Sequence, residues 1–136
     1  MKQTEGPRDL DVDVANHELF EKLKNYERSP FYGRTMKDIF IFAMSVGFAE
    51  SARKRLSKRK GTIPRATLTD DDDWLIRTIA IAEEKTLDIL FNETKVYEIA
   101  EEYANGGIRL LVNTLLDAKQ GDPSKKLESN VLKLQR

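Results

Sequence analysis

Three groups of residues carry side chains that could do chemistry: Asp70 to Asp73, the string Glu83-Glu84-Lys85, and the cations between Arg53 and Arg65. The aspartates invite a metal reading, because hard cations want several oxygens converging on one point. Successive helical residues point about 100° apart, so four in a row cannot converge. The run also lacks the glycine and distal glutamate of a calcium loop. Thr69 stands just before it, and a threonine followed by acids is what a helix N-terminus favours. Capping is the expected role, and no metal site is expected. Glu83 and Lys85 match the acid-x-lysine string of metal-dependent nucleases. There a strand's alternation puts both on one face. Here the surrounding pattern is the end of a helix, where residues two apart diverge. Lys85 suits the negative pole of that helix end. His17 is the one imidazole and has no nearby serine or cysteine to activate. No glycine-rich phosphate loop, GxSxG or HExxH occurs. With no Cys in the chain, disulfides, a thiol nucleophile and Cys-held zinc or iron–sulfur centres are excluded. No catalytic residue, metal or cofactor is expected.

The cations are the stronger signal. Between residues 50 and 66 stand Arg53, Lys54, Arg55, Lys58, Arg59, Lys60 and Arg65 against Glu50 alone, a net of 7 − 1 = +6. Residues 67–105 hold eleven acids and three bases, a net of −8. The chain as a whole balances at 23 against 23, so no global field steers it. These seven cations are the candidate DNA- or partner-binding residues. Lysine and arginine in a short loop with few aromatics suit phosphate contacts, not base readout. The competing reading is a solvated loop that pairs with the acidic stretch, in this chain or a neighbour.

The elements that must position these groups are helical. With 136 residues, 40% hydrophobic and 34% charged, the chain fits one domain. Residues 1–14 read as a flexible N-terminal arm, 15–119 as a single helical domain and 120–136 as a flexible tail opening on Gly121-Asp122-Pro123. A first helix carries Leu19, Phe20, Leu23 and Tyr26, with Asn16 as N-cap. A second opens at Thr35, buries Met36, Ile39, Phe40, Ala43 and Val46, and stops at Gly47. A third, capped by Thr69, carries Trp74, Leu75, Ile76, Ile79, Ala80 and Ala82, a stripe wide enough for a central helix. A fourth carries Val96, Ile99, Ala100 and Tyr103 and ends at Asn105-Gly106-Gly107. A fifth carries Ile108, Leu111, Val112, Leu115 and Leu116.

Residues 86–92 read as a buried connection or one more helical turn. Residues 62–68 allow a short extended piece, which Pro64 confines to an edge. The expected fold is all-α, a compact bundle of about five helices with disordered N- and C-terminal tails. Its core is Phe40, Ala43, Trp74, Ile76, Ile79, Ile99, Tyr103, Leu111, Val112 and Leu115. Residues 96–116 also scan as helix-turn-helix, but the would-be recognition helix offers only Arg109, Asn113 and Thr114 among its aliphatics.

Two stretches carry a family resemblance. One is Met36-Lys37-Asp38-Ile39-Phe40 with Val46-Gly47-Phe48. The other is Ile79-Ala80-Ile81-Ala82 followed by Ile99-Ala100-Glu101-Glu102-Tyr103-Ala104-Asn105-Gly106-Gly107. Together, over roughly residues 30–117, they resemble small accessory proteins associated with the bacterial and archaeal Dnd system. That system replaces a non-bridging phosphate oxygen of DNA with sulfur and, in some hosts, restricts unmodified DNA. The resemblance implies an accessory protein of this DNA phosphorothioation system with the system's other proteins as partners; the expected role is non-enzymatic, through contacts to those proteins, to DNA through its backbone, or to both. It carries over no catalytic residue. Sulfur-handling members of such systems use Cys and iron–sulfur clusters, so that chemistry would belong to a partner.

Two other classes compete. An independent DNA-binding regulator would show sequence preference. A metal-dependent nuclease would need magnesium or manganese and would fail when Glu83 and Lys85 are changed. The split charge map and the apolar helices at 96–116 lean toward a homodimer. No apolar stretch resembles a signal peptide or a membrane span, so a cytoplasmic location off the membrane is expected.

Overall fold

The computed structural model describes residues 9–116. In chain order these form β1 (Leu10–Asp13), α1 (His17–Asn25), α2 (Met36–Ala49), β2 (Arg59–Ile63), α3 (Asp70–Glu84) and α4 (Glu93–Leu115). Short 3-10 turns sit at Val14–Asn16, Arg65–Thr67 and Leu87–Phe91. The described chain is thus mostly helical, but it has four α-helices, not five, and it has a small sheet. The tail expected at 120–136 lies outside the described residues.

The sheet corrects the reading of the N-terminal arm over residues 10–13; residues 1–8 of that arm lie outside the described residues. β1 and β2 pair antiparallel, with Val12 opposite Lys60 and Asp13 opposite Arg59. Leu10, Val12 and Ile63 are buried. The alternating acids of residues 9–13 concealed a strand of period two, whose apolar members face inward. Its partner is the basic strand, and Arg59, opposite Asp13, pairs across the ladder with Asp11 at 3.3 Å. The extended piece expected near 62–68 is β2, displaced toward the N-terminus and ending just before Pro64.

The missing helix boundary has a packing cause. α4 runs unbroken through Asn105-Gly106-Gly107 for 23 residues, about 34 Å. α2 likewise continues through Gly47 to Ala49. These glycines are not stops but contact points between two backbones. A Cβ on Gly47 would stand 2.0 Å from the Tyr103 carbonyl oxygen, and one on Gly107 would stand 1.9 Å from that of Ala43. A Cβ on Gly106 would meet the Ala52 carbonyl at 1.4 Å. Turn-forming residues were placed here by tertiary contact, which overrides their local preference.

α4 is therefore the central helix, in place of α3. Five consecutive residues of α4, Glu101 to Asn105, are buried. Nine of the ten expected core residues are buried as well, and Trp74 is the exception at 64% exposed. It is the fifth residue of α3, and helical spacing turns it away from Ile76, Ile79 and Ala80. Residues 87–91 form a single 3-10 turn that buries Ile89 but leaves Leu87 and Phe91 in solvent.

The two threonine caps agree with the sequence. Thr35 accepts from the Asp38 amide at 3.2 Å. Thr69 and Asp72 form a reciprocal box, each side chain accepting from the other's backbone amide. Asn16 precedes α1 but gives it no side-chain cap. Its amide is used elsewhere.

A candidate binding surface on the basic segment

The seven cations divide into two sets. Arg53, Arg59 and Arg65, spaced six apart, point back into the protein. Arg53 donates from Nε to Glu102 at 2.7 Å and from Nη1 to Glu83 at 2.6 Å. Tyr103, whose ring lies 6.0 Å from that guanidinium, donates its hydroxyl to the same Glu83. Arg65 repeats the arrangement. Its guanidinium stacks 4.2 Å over the Tyr97 ring and pairs with Asp73 at 3.5 Å. Tyr97 donates its hydroxyl to Asp73 at 2.5 Å. Two clamps of one design thus join the basic segment to α3 and α4, each a tyrosine of α4, an acid of α3 and an arginine. Arg59 sits between them and donates to Glu101 at 2.6 Å. Glu101, only 1% exposed, also accepts from the Asp11 amide at 2.7 Å.

The titrating groups register this. Burial works against the charge on Arg53 and Arg59, but their carboxylate partners offset it and raise both pKa values. The Tyr103 hydroxyl and then Arg53 hold Glu83 below its ordinary value. Burial opposes ionisation of Asp73, yet bonds from Arg77 and Tyr97 keep its pKa low. Burial and the neighbouring Glu83 push the Tyr103 phenol up to about 12. Tyr97 is raised by burial and by Asp73. These are charge pairs locked for structure, with both partners engaged at once.

The backbone of the segment is fastened too. The Lys54 amide donates to the Glu102 carbonyl at 3.0 Å. Asn105 donates to the carbonyls of Lys54 and Arg55, both at 3.2 Å. Its oxygen accepts from the buried Asn16 amide at 2.7 Å, and Asn16 in turn accepts from Arg109 at 3.1 Å. On the other side the Asp13 carboxylate accepts from the Ser57 amide at 2.8 Å. Burial would raise the Asp13 pKa, but this bond and others hold it low.

What remains outward is the second set. Lys54, Arg55, Lys58 and Lys60 are exposed, and among the described residues their side chains have no ion-pair partner. The segment is therefore a fixed ledge that displays four cations, in place of a solvated loop that contributes little packing.

The acidic groups behave differently from the cations. Asp72 pairs with Lys37 at 2.7 Å and Asp73 with Arg77 at 2.7 Å, so half the aspartate run is neutralised locally. Glu83 is engaged in the Arg53 clamp, whereas Lys85 caps the end of α3 in a left-handed conformation at φ 59°. The nuclease-like string is not brought together on one face. Among the described residues no group of three or more His, Cys, Asp or Glu side chains is placed to hold a metal ion. Among them too, no helix is long and apolar enough to cross a membrane.

A family model described as DNA sulphur modification system-associated protein 4 matches residues 12–135. The chain belongs to this family. The match bears out the resemblance and extends it past residues 30–117 at both ends. It opens at residue 12, within β1. Comparison with curated proteins and with solved structures returned no match. The motif that carried the resemblance, Glu101 to Asn105 in particular, is the row on α4 that fastens the basic segment. Glu101, Glu102, Tyr97, Asn105 and Asp13 were not singled out as anchors from the sequence. The signal was present in the sixfold spacing of Arg53, Arg59 and Arg65 and in acids set on an apolar helix face.

Proposed function

We propose that this member of the family is a non-enzymatic accessory protein of a DNA phosphorothioate modification system, and that it contacts the DNA backbone through Lys54, Arg55, Lys58 and Lys60 while engaging the system's other proteins. The observation that carries this reading is the division of the basic segment. Three arginines are consumed in holding it, and four cations are held out from a rigid edge. A preorganised set of cations loses little freedom when it meets a regular row of phosphates. The exposed cations sit on a loop and a short strand with no aromatic among them, which suits backbone contact without base readout.

Binding should be weak, tolerant of sequence and steeply dependent on salt. Log affinity should fall against log salt with a slope of about −0.9 per phosphate neutralised. Fluorescence anisotropy with a labelled duplex measures this. Lys54→Ala, Arg55→Ala, Lys58→Ala and Lys60→Ala together should abolish the salt-dependent term and leave the melting temperature unchanged. Arg59 is left out of the set because its loss would strand Glu101. No binding at low salt, or equal binding by the fourfold variant, rejects the DNA contact.

A further inference from the structure

Four of the seven strongly exposed large apolar side chains among the described residues fall between positions 74 and 91. Scattered apolar residues on a surface need no explanation, but a concentration of them does. Trp74 is 64% exposed, Leu87 68% and Phe91 91%. All three stand on α3 or on the 3-10 turn that follows it, the α3 corner. The 3-10 turn holding Leu87 and Phe91 packs on α3. Phe91 lies two residues before Glu93, whose carboxylate accepts from Arg77 at 3.1 Å, and Arg77 is one helical turn from Trp74. By contrast, Phe31 packs edge-on against Phe42, and Phe48 against Tyr103.

The rim of this corner is acidic. Asp70, Asp71, Glu84 and Asp88 are exposed on the same two elements, and Lys85 between them is the one exposed base. Apolar anchors ringed by one sign of charge specify a partner of the opposite sign. A second copy meeting the corner face to face would bring acid against acid. The apolar side of α4 that favoured a homodimer is also consumed within the chain, where Ile99, Ile108, Leu111 and Leu115 are buried.

We propose that this corner docks an apolar segment flanked by lysine or arginine on a second protein of the DNA sulphur modification system, a proposal that rests on the accessory reading above. Trp74 and Phe91 are the anchors, large aromatic groups of the kind that dominate protein interfaces. Glu84 and its acidic neighbours select the partner's charge. The DNA-facing cations and the protein-facing corner then lie on different elements, so one chain can engage both at once.

The test is co-expression of the tagged full chain with the other proteins of the system from the same host, with retained proteins identified by mass. The native chain should retain at least one of them. Trp74→Ala with Phe91→Ala should weaken that retention by at least about tenfold. Glu84→Lys should weaken it as well, and it should not harm the fold, because a cation suits the C-terminal end of α3. The fourfold cation variant should retain the partner unchanged. Retention by the native chain and equally by the corner variants overturns the docking proposal and spares the accessory reading. No retention by the native chain overturns both. Sedimentation showing that the corner variants dissolve a homodimer assigns the corner to a second copy and overturns the proposal.

Discussion

The basic segment and the α3 corner hold similar amounts of conspicuous sequence and use it in opposite ways. In the segment, three of the seven cations turn inward and become joints between strand, loop and two helices. In the corner, apolar residues that read as core are turned outward, with Trp74 the clearest case. Charge in the sequence is not charge on the surface, and hydrophobicity in the sequence is not burial. Each surface has to be read after subtracting what the fold consumes. In the segment the subtraction leaves Lys54, Arg55, Lys58 and Lys60. In the corner it leaves Trp74, Leu87 and Phe91 inside an acidic rim.

The sharpest way to break this comparison is to break the seam that supports the segment. Gly107→Val places a branched side chain where even a Cβ would stand 1.9 Å from the Ala43 carbonyl oxygen. Two helix backbones would have to separate, and the loss should exceed about 3 kcal/mol. Urea unfolding measures it. A variant as stable as the parent would mean that α2 and α4 do not touch there.

A smaller effect tests whether the arginine clamps hold the segment. Glu83, Asp73 and Asp13 all have pKa values below their ordinary 4.5 and 3.8. A folded-state pKa that is depressed contributes stability above the unfolded value and loses it as pH falls through the folded one. Stability should therefore be flat near neutrality and fall below about pH 4.5. Arg53→Met removes one clamp while keeping an apolar stem, so it should cost about 1–3 kcal/mol at pH 7. It should cost less at pH 3, where Glu83 is protonated more readily once its cation is gone. Urea midpoints across that range are the measurement, and a penalty that stays constant with pH would remove the carboxylates from the account.

What the sequence disclosed was local. The helix stripes, the threonine caps, the place of the basic segment and the family resemblance all follow from neighbours within a few residues. What stayed hidden was long-range. Asn105-Gly106-Gly107 has the composition of a turn, and only the approach of α2 and of Ala52 explains why it is helix. The acids of residues 9–13 look like a mobile arm until β2 stands opposite and Arg59 pairs with Asp11. Trp74 looks like core because periodicity reports a helix face but not which neighbour covers it. Of the candidate site, the sequence supplied all seven cations, and it could not divide them because the dividing partners lie 30 to 49 residues away for Arg53 alone.

The smallest effect belongs to a feature legible from both directions, the cap of α3. Thr69 accepts from the Asp72 amide at 3.1 Å, and Asp72 accepts from the Thr69 amide at 2.9 Å. Thr69→Ala removes one bond of the pair and should cost about 0.5–2 kcal/mol. The lower half of that range is expected, because Asp72 keeps its bond to Lys37 at 2.7 Å and three other aspartates still face the helix dipole. The cap lies where the segment ends and the corner begins, so the same variant asks whether the two regions share it. If Thr69 fixes only the start of α3, urea midpoints fall slightly while duplex affinity and partner retention stay unchanged. Equal midpoints would reject the cap. A loss of duplex affinity with little loss of stability would show that α3 sets the position of the basic ledge as well as the corner, and the two surfaces would then have to be treated as one.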